Sequence, residues 1–137
     1  MLSIMNFVSA KDKKSKGSKG NTTTSKIVKP SNKKEQIYVE TTFIEAVQAS
    51  LLGNRQEAIN KFNEVLNKDS ENDAALFELA KIYYQAGAVQ QCVTYCQRAI
   101  KINPNNEYYY VYLAEALGEN GLFVDASKTY ETLLKLK

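Results

Sequence analysis

A period of thirty-four residues, repeated without gaps, constrains this chain more than any other feature of its sequence. Such a period is the signature of repeat arrays, in which each unit buries its apolar face against the next. The sequence therefore divides into three units, 39–72, 73–106 and 107–137, the last of which lacks its final residues. The matched positions are Ala46, Ala80 and Ala114; Gly53, Gly87 and Gly121; Ala58, Cys92 and Ala126; Phe62, Cys96 and Tyr130; and Val65, Ala99 and Leu133.

Each unit is predicted to be a pair of helices, and the middle unit shows the pattern best. Its first half has apolar residues at the i, i+3, i+4, i+7 spacing of an amphipathic helix. Gly87 then interrupts the chain, because glycine tolerates the left-handed conformation that ends helices. The second helix is predicted to stop at 103–106, where Pro104 disfavours helix in the residue before it and asparagines favour turns and caps. The two apolar faces are Leu76, Leu79, Ala80 and Tyr83, and Cys92, Val93, Cys96, Ala99 and Ile100.

The tyrosine-rich stretch 108–112 favours a β-strand by propensity, but its position in the repeat predicts a helix. Tyr110, Leu113, Ala114 and Leu117 reproduce the apolar stripe of the middle unit. We therefore expect this stretch to begin the first helix of the third unit, with Tyr110 in the core. Not all of its tyrosine neighbours can share that stripe, so some must face elsewhere.

Small residues, glycine and proline at these places in a thirty-four-residue unit resemble the tetratricopeptide repeat, over about 100 of the 137 residues. The resemblance implies an all-α fold, a right-handed α-solenoid of three two-helix units in residues 37–137. Helices are expected near 38–51, 55–67, 73–86, 89–102, 107–119 and 123–136. The first unit departs from the pattern at Thr42 and Glu45, where large apolar residues are usual, and at Ser70, which replaces the proline. An outermost helix packs on one side only, so looser patterning suits a first unit.

The resemblance also implies a function: proteins of this family hold peptides or partner helices on the concave face built from the first helices. We expect a non-catalytic interaction or scaffold module with a protein or peptide partner. The opposing interpretation is that the same side chains only pack between neighbouring repeats. Family members that grip a carboxylate use lysine and asparagine where this chain has Phe43 and Val47, which argues against that mode of binding. The candidate partner-binding residues are Phe43, Val47, Leu51, Phe77, Lys81, Tyr84, Tyr108, Val111 and Tyr112.

The composition argues against catalysis, cofactors and metals. The chain has no histidine, the commonest general base and transition-metal ligand. No glycine-rich phosphate loop is present. Cys92 and Cys96 share a helix face and would supply half of a metal site, but both fall on core positions, where free cysteine behaves as a small apolar residue. We expect core packing, no enzyme activity and no cofactor.

The N-terminal region differs from the repeats in charge. Residues 1–36 carry nine lysines against Asp12 and Glu35, whereas the remainder is mildly acidic. Residues 11–36 are too poor in apolar side chains to form a core and are expected to be a disordered linker. The alternative function rests on this segment: binding of nucleic acid or anionic surfaces, with the repeats as a spacer or dimerisation unit. No arginine or aromatic residue supports specific nucleic-acid contacts there.

The two ends of the chain raise questions of processing and assembly. Residues 1–10, "MLSIMNFVSA", resemble a truncated signal peptide, which favours an exported or periplasmic protein over a cytoplasmic one. No segment is long and apolar enough to predict a membrane span. Leu133, Leu134 and Leu136 have no following helix to cover them. We therefore expect a fragment of a longer, bacterial-type protein of this family, or self-association through the uncapped last helix.

Overall fold

The computed structural model describes residues 26–137, and every regular element within that range is an α-helix. The six helices form three antiparallel pairs, so the expected all-α solenoid of two-helix repeats is confirmed. The first helix starts at Lys33 instead of near 38 and thus enters the segment expected to be disordered. The helices are α1 (Lys33–Leu51), α2 (Arg55–Lys68), α3 (Asp73–Gln85), α4 (Val89–Ile102), α5 (Glu107–Glu119) and α6 (Phe123–Lys135).

The turns within the three pairs are made by glycines one period apart. Gly53, Gly87 and Gly121 have φ angles of +84°, +81° and +80°, a region that side chains with a Cβ rarely adopt. Asparagines begin the first helices of the second and third pairs: the side chains of Asn72 and Asn106 accept hydrogen bonds from backbone amides in the first turn. Glycine thus forms the turn within each pair, and an asparagine caps the first helix of the second and third pairs.

Small residues lie at the closest helix contacts, as the sequence predicts. Ala46, Ala80 and Ala114 are essentially inaccessible to solvent, with exposed fractions of 0%, 0% and 1%. Each belongs to the first helix of its pair and faces the second helix, where Ala58 and Cys92 are also fully buried. The core runs without interruption from α1 to α6, because the clusters at these contacts share the half-buried side chains Tyr83 and Tyr95.

A second set of positions, on the first helix of each pair, packs against the preceding repeat. In α3 and α5 these positions are apolar and buried, whereas in α1 they are polar and exposed. Because α1 has no preceding repeat in the described residues, its polar side chains face solvent, and Glu45 pairs with Lys61 at 3.0 Å. This explains the departure at Glu45; Thr42, by contrast, is buried. The equivalent positions are Thr41, Ala75 and Tyr109; Glu45, Leu79 and Leu113; and Gln48, Ile82 and Ala116.

The tyrosine-rich stretch is helical, so the expectation from the repeat is confirmed. Tyr110 is buried and its hydroxyl donates to the carbonyl oxygen of Pro104 at 2.7 Å. Tyr109 is buried even more fully, on the face toward the preceding repeat. Tyr108 is 70% exposed and Tyr112 is half-buried. Packing of two helix faces thus overrides the strand propensity of these residues.

The two cysteines are fully buried free thiols in the core between α4 and α5. Their sulfur atoms lie 4.0 Å apart on successive turns of α4. The hydrogen bond with the Cys92 sulfur raises the pKa of the Cys96 thiol, and burial acts in the same direction. A pair of buried free thiols is suited to packing, in agreement with the interpretation from the sequence.

The residues that precede α1 contact the loop between α2 and α3. The Val28 amide donates to Ser70 Oγ at 2.8 Å, and the Ser70 amide donates to the Val28 carbonyl oxygen at 2.9 Å. Lys29 adds ion pairs to Asp69 and Glu71, both at 3.4 Å. A proline at position 70, as the repeat pattern favours, has neither an amide hydrogen nor a hydroxyl and would abolish both bonds to Val28. The departure at Ser70 thus allows residues 26–31 to dock.

Residues 1–25 lie outside the described part of the chain. They include the apolar segment 1–10, with its expected signal-peptide character, and most of the lysine-rich segment 11–36.

The small residue at the crossing of α3 and α4 can be tested by enlarging it. Ala80→Leu adds volume at a site with no free space, and we expect a loss of about 1–3 kcal/mol in the free energy of unfolding. Denaturant unfolding followed by circular dichroism measures this loss. The matched control is Ala74→Leu on the same helix, where the side chain is exposed. Equal stability of the two variants would contradict the close packing at Ala80.

Candidate functional site

The first helices of the three pairs lie side by side and enclose a groove. Helix α3 contacts α1 on one side and α5 on the other. The groove has a volume of about 300 Å³ and takes side chains from all three helices. It therefore depends on the stacking of repeats and not on any one repeat. The lining residues are Val47, Ser50 and Leu51 from α1, Glu78, Lys81, Ile82 and Gln85 from α3, and Tyr112 from α5.

A run of aromatic rings, called here the aromatic wall, borders the groove through Tyr112, the ring that lines it. The ring of Tyr112 meets the rings of Phe77 and Tyr84 edge to face, with centroids 5.2 and 5.6 Å apart. Phe77 also packs on Tyr109 at 4.7 Å. These contacts cross from α3 to α5, and Phe77, Tyr84 and Tyr112 remain only half-buried. The exposed ring surfaces give the wall a large, rigid contact area.

Lys81 is the cation on this surface, and it is held by its own helix. Its ammonium group lies 3.0 Å from Glu78 Oε2 and 5.2 Å from the centroid of the Phe77 ring. The pairing with Glu78 neutralises its charge locally, and the contact with Phe77 directs it along the groove wall. Lys81 is therefore oriented before any partner arrives.

Tyr84 connects the aromatic wall to the acidic end of α5. Its hydroxyl donates to Glu119 Oε2 at 3.0 Å. Burial raises the pKa of Tyr84 to about 12, and the hydrogen bond to Glu119 and the charges of Glu119 and Glu115 add to the effect. The hydroxyl therefore remains protonated throughout the physiological pH range and acts only as a hydrogen-bond donor here.

The structure distributes the nine candidate residues unevenly. Val47, Leu51, Lys81 and Tyr112 line the groove, and Phe77 and Tyr84 contact Tyr112. Tyr108 is largely exposed at the start of α5, and Val111 is half-buried. Whether any of them contacts a partner stays a prediction.

Phe43 serves partly as a core residue. Its ring meets that of Phe62 edge to face, with centroids 5.4 Å apart, so it joins α1 to α2 within the first repeat. Its other side lines a shallow, open pocket of about 440 Å³ where α1 meets the start of α3, together with Glu40 and Ile44. The interpretation of Phe43 as a packing residue is thus supported by its contact with Phe62, whereas contact with a partner stays a prediction.

The sequence analysis missed several residues of the groove, although the repeat register contains them. Glu78 occupies the repeat position of Ile44 and Tyr112, and Gln85 occupies that of Leu51. Apart from Lys81, the candidates chosen were apolar or aromatic, whereas selection by repeat position would have included Glu78 and Gln85. Ser50 and Ile82 also line the groove.

Two kinds of site are not found among residues 26–137. They contain no group of three or more side chains suited to hold a metal ion. None of their helices combines the length and the hydropathy that a membrane crossing requires.

Comparison of the sequence with known families finds a match that accounts for the thirty-four-residue period. Residues 51–111 match the family model described as "Tetratricopeptide repeat". This region extends from the end of α1 to the start of α5 and includes the whole middle unit. Residues 51–111 of this chain are therefore similar in sequence to tetratricopeptide repeats. No curated protein is significantly similar to it in sequence.

Solved structures with tetratricopeptide repeats share the fold at low sequence identity. The MamA crystal structure superimposes with a TM-score of 0.70 at 19% identity, covering 72% of this chain and 57% of MamA. This chain thus spans little more than half the length of MamA. The first tetratricopeptide domain of Spaghetti (RPAP3), bound to an HSP90 peptide, has a TM-score of 0.68 at 19% identity and coverages of 72% and 79%. The CopN–Scc3 complex superimposes with a TM-score of 0.70 at 13% identity, covering 77% of this chain and 61% of that chain.

Tyr109 is buried and packs against Phe77 of the aromatic wall. Its hydrogen bond to α3 can be tested by mutation. Its hydroxyl donates to Asp73 Oδ2 at 2.6 Å and joins α5 to the start of α3. We expect Tyr109→Phe to lower the free energy of unfolding by about 1–2 kcal/mol at neutral pH. Urea unfolding measures the difference, and Tyr108→Phe on the exposed neighbour is the matched control. Equal stability of the two variants would show that this bond does not hold the repeats together.

The contribution of this bond also has a predicted pH dependence. Burial, together with the bond to Asp73, raises the pKa of Tyr109 above the usual tyrosine value of about 10. The contribution is therefore complete below about pH 10 and is lost as the pH rises through the pKa of the folded state. The stability difference between native chain and Tyr109→Phe should accordingly stay constant from neutral pH to pH ~9.

Proposed function

We propose that this chain is a non-catalytic interaction module that binds a segment of a partner protein in the groove across α1, α3 and α5. The observation that carries the proposal is the aromatic wall formed by Phe77, Tyr84 and Tyr112, which is half-exposed and stands beside a cavity of about 300 Å³. Half-buried aromatic side chains of this kind are enriched among the residues that dominate binding energy at interfaces. The rings are held in place by one another, so little side-chain entropy is lost on binding.

The structural relatives support the same function. The Spaghetti domain is bound to an HSP90 peptide, and the CopN–Scc3 structure is a complex of two proteins. The superpositions support a shared fold, and at this low sequence identity they indicate no shared partner.

The groove chemistry argues against capture of a carboxylate in the manner of the chaperone-binding members of the family. The clamp positions of the first repeat hold Phe43 and Val47, neither of which donates a hydrogen bond from its side chain. Lys81 is the groove cation, and Glu78 already pairs with it. A free acidic terminus would have to compete with Glu78 for this single ammonium group.

The alternative function, charge-driven binding through the lysine-rich segment, rests chiefly on residues outside the described range. Within the range, Lys29 pairs with Asp69 and Glu71, so part of its charge is used to dock the segment on the repeats. Lys33 and Lys34 remain exposed at the start of α1. Binding of this kind would weaken steeply with salt and would not depend on the groove.

Self-association through α6 is a second candidate, because this helix exposes positions that the earlier repeats bury. Tyr130 is 42% exposed, whereas its equivalents Phe62 and Cys96 are fully buried against the following repeat. Leu134 and Phe123 are also exposed on α6. A second copy that covered this helix would remove these apolar surfaces from water and leave the groove free.

The groove and the lysine-rich segment can be distinguished by affinity capture from the native cell. The full chain is compared with Phe77→Ala, Tyr84→Ala at low and at high salt. We expect partners that survive the salt increase and are lost with the double variant, because truncation of a central aromatic anchor costs about 2 kcal/mol or more. Circular dichroism and thermal unfolding confirm that the double variant is folded.

The matched control is Phe123→Ala, Tyr130→Ala, which removes two aromatic rings from α6 and leaves the groove intact. Partners that this control retains and the groove variant loses support the proposal. Partners that disappear with salt, and that both variants retain, would instead favour the lysine-rich segment and overturn it.

A further inference from the structure

The groove carries an excess of negative charge that its lining residues alone do not show. Glu115 occupies the repeat position of Val47 and Lys81, and Glu119 that of Leu51 and Gln85. All four of these equivalents line the groove, so the two glutamates extend the same surface along α5. On α1, Glu40 lines the separate pocket beside Phe43.

These carboxylates are not neutralised by the rest of the chain. Within residues 26–137, Glu40, Glu115 and Glu119 form no ion pair, and all three side chains are exposed. Glu119 accepts the Tyr84 hydroxyl, a neutral donor that leaves its charge in place. Glu78, by contrast, forms an ion pair with Lys81. Because Lys81 is paired in this way, its charge does not neutralise the other three carboxylates. The first helices therefore present three uncompensated negative charges, two on α5, which carries Tyr112, and one on α1.

The aromatic wall also has an affinity for cations. Aromatic faces attract ammonium and guanidinium groups, and Lys81 already lies over the Phe77 ring at 5.2 Å. The ring of Tyr112 contacts both Phe77 and Tyr84, and the Tyr84 hydroxyl donates to Glu119. A basic side chain entering there would meet a ring face and a carboxylate together, while the apolar side chains Val47 and Leu51 remain for aliphatic contacts.

We propose that the groove selects a partner segment in which lysine or arginine alternates with apolar side chains, and that it discriminates against acidic segments. This inference rests on the proposed function and specifies the chemical class of its partner. The carboxylates favour a basic partner, because an acidic segment would place like charges beside Glu40, Glu115 and Glu119. Lys81 would not offset this repulsion, since it is already paired with Glu78. Opposite charges across an interface contribute to specificity and to the rate of association.

The test is an unbiased selection in which the probe is a displayed library of random peptides about a dozen residues long, which span roughly 40 Å when extended. The native full chain is the bait. Clones are retained if they bind it and fail to bind Phe77→Ala, Tyr84→Ala. A second groove variant, Leu51→Ser, changes a side chain that is 82% exposed, and so it does not depend on the fold tolerating the loss of two rings.

We expect the retained clones to be enriched in lysine and arginine next to aromatic or aliphatic residues. Retained clones rich in aspartate and glutamate, or without charge preference, would overturn this inference and leave the proposed function standing. A selection that yields no clone dependent on either groove variant would count against the proposed function itself, and with it against the inference.

A charge-matched pair of variants then locates the recognition. We expect Glu115→Gln, Glu119→Gln to weaken binding of a selected basic peptide about fivefold at low salt, as measured by fluorescence anisotropy. The control Glu57→Gln, Glu131→Gln removes the same charge from exposed positions on α2 and α6 and should bind like the native chain. An equal loss in both variants would show that net charge, and not the groove, attracts the peptide.

Discussion

The close approach of two helices at a small residue, repeated every thirty-four positions, is the contact on which the rest of the structure depends. Ala46, Ala80 and Ala114 are almost completely buried, and the first helix of each pair contacts the second. Glycines with positive φ reverse the chain after each first helix. Because these contacts recur at a fixed interval, every repeat has the same shape, and stacking places the three first helices side by side on one surface.

The groove is a consequence of that stacking. Apolar residues such as Leu79 and Leu113 join each repeat to the one before it, whereas Glu45 ends the series with a solvent-exposed charge. The contact between repeats also fixes the aromatic wall, since Tyr109 connects α5 to Asp73 at the start of α3 and supports the ring of Phe77. A surface built from three helices can therefore stay rigid while most of its side chains remain partly accessible.

The period and the helix pattern were sufficient to predict the fold, because spacing alone determines which residues can share a face. That is why Tyr108–Tyr112 could be assigned to a helix against local propensity. The docking of residues 26–31 could not be predicted, since it depends on bonds between Val28 and Ser70, 42 residues apart. At the site, choosing apolar residues located the aromatic wall but missed Glu78, Glu115 and Glu119. Charge on a helix surface usually indicates solvation. Only the stacked repeats show that Glu78 lines a groove and that Glu115 and Glu119 occupy the repeat positions of lining residues.

The central claim is that a partner lies across the three first helices, and chemical-shift mapping tests it most directly. Two-dimensional ¹H–¹⁵N spectra of the labelled full chain are recorded during titration with a peptide selected for binding. The account predicts that the largest changes occur at the amides of Val47, Lys81 and Tyr112, one on each first helix, with the second helices little affected. Changes confined to α6, or to the lysine-rich segment 11–36, would contradict it.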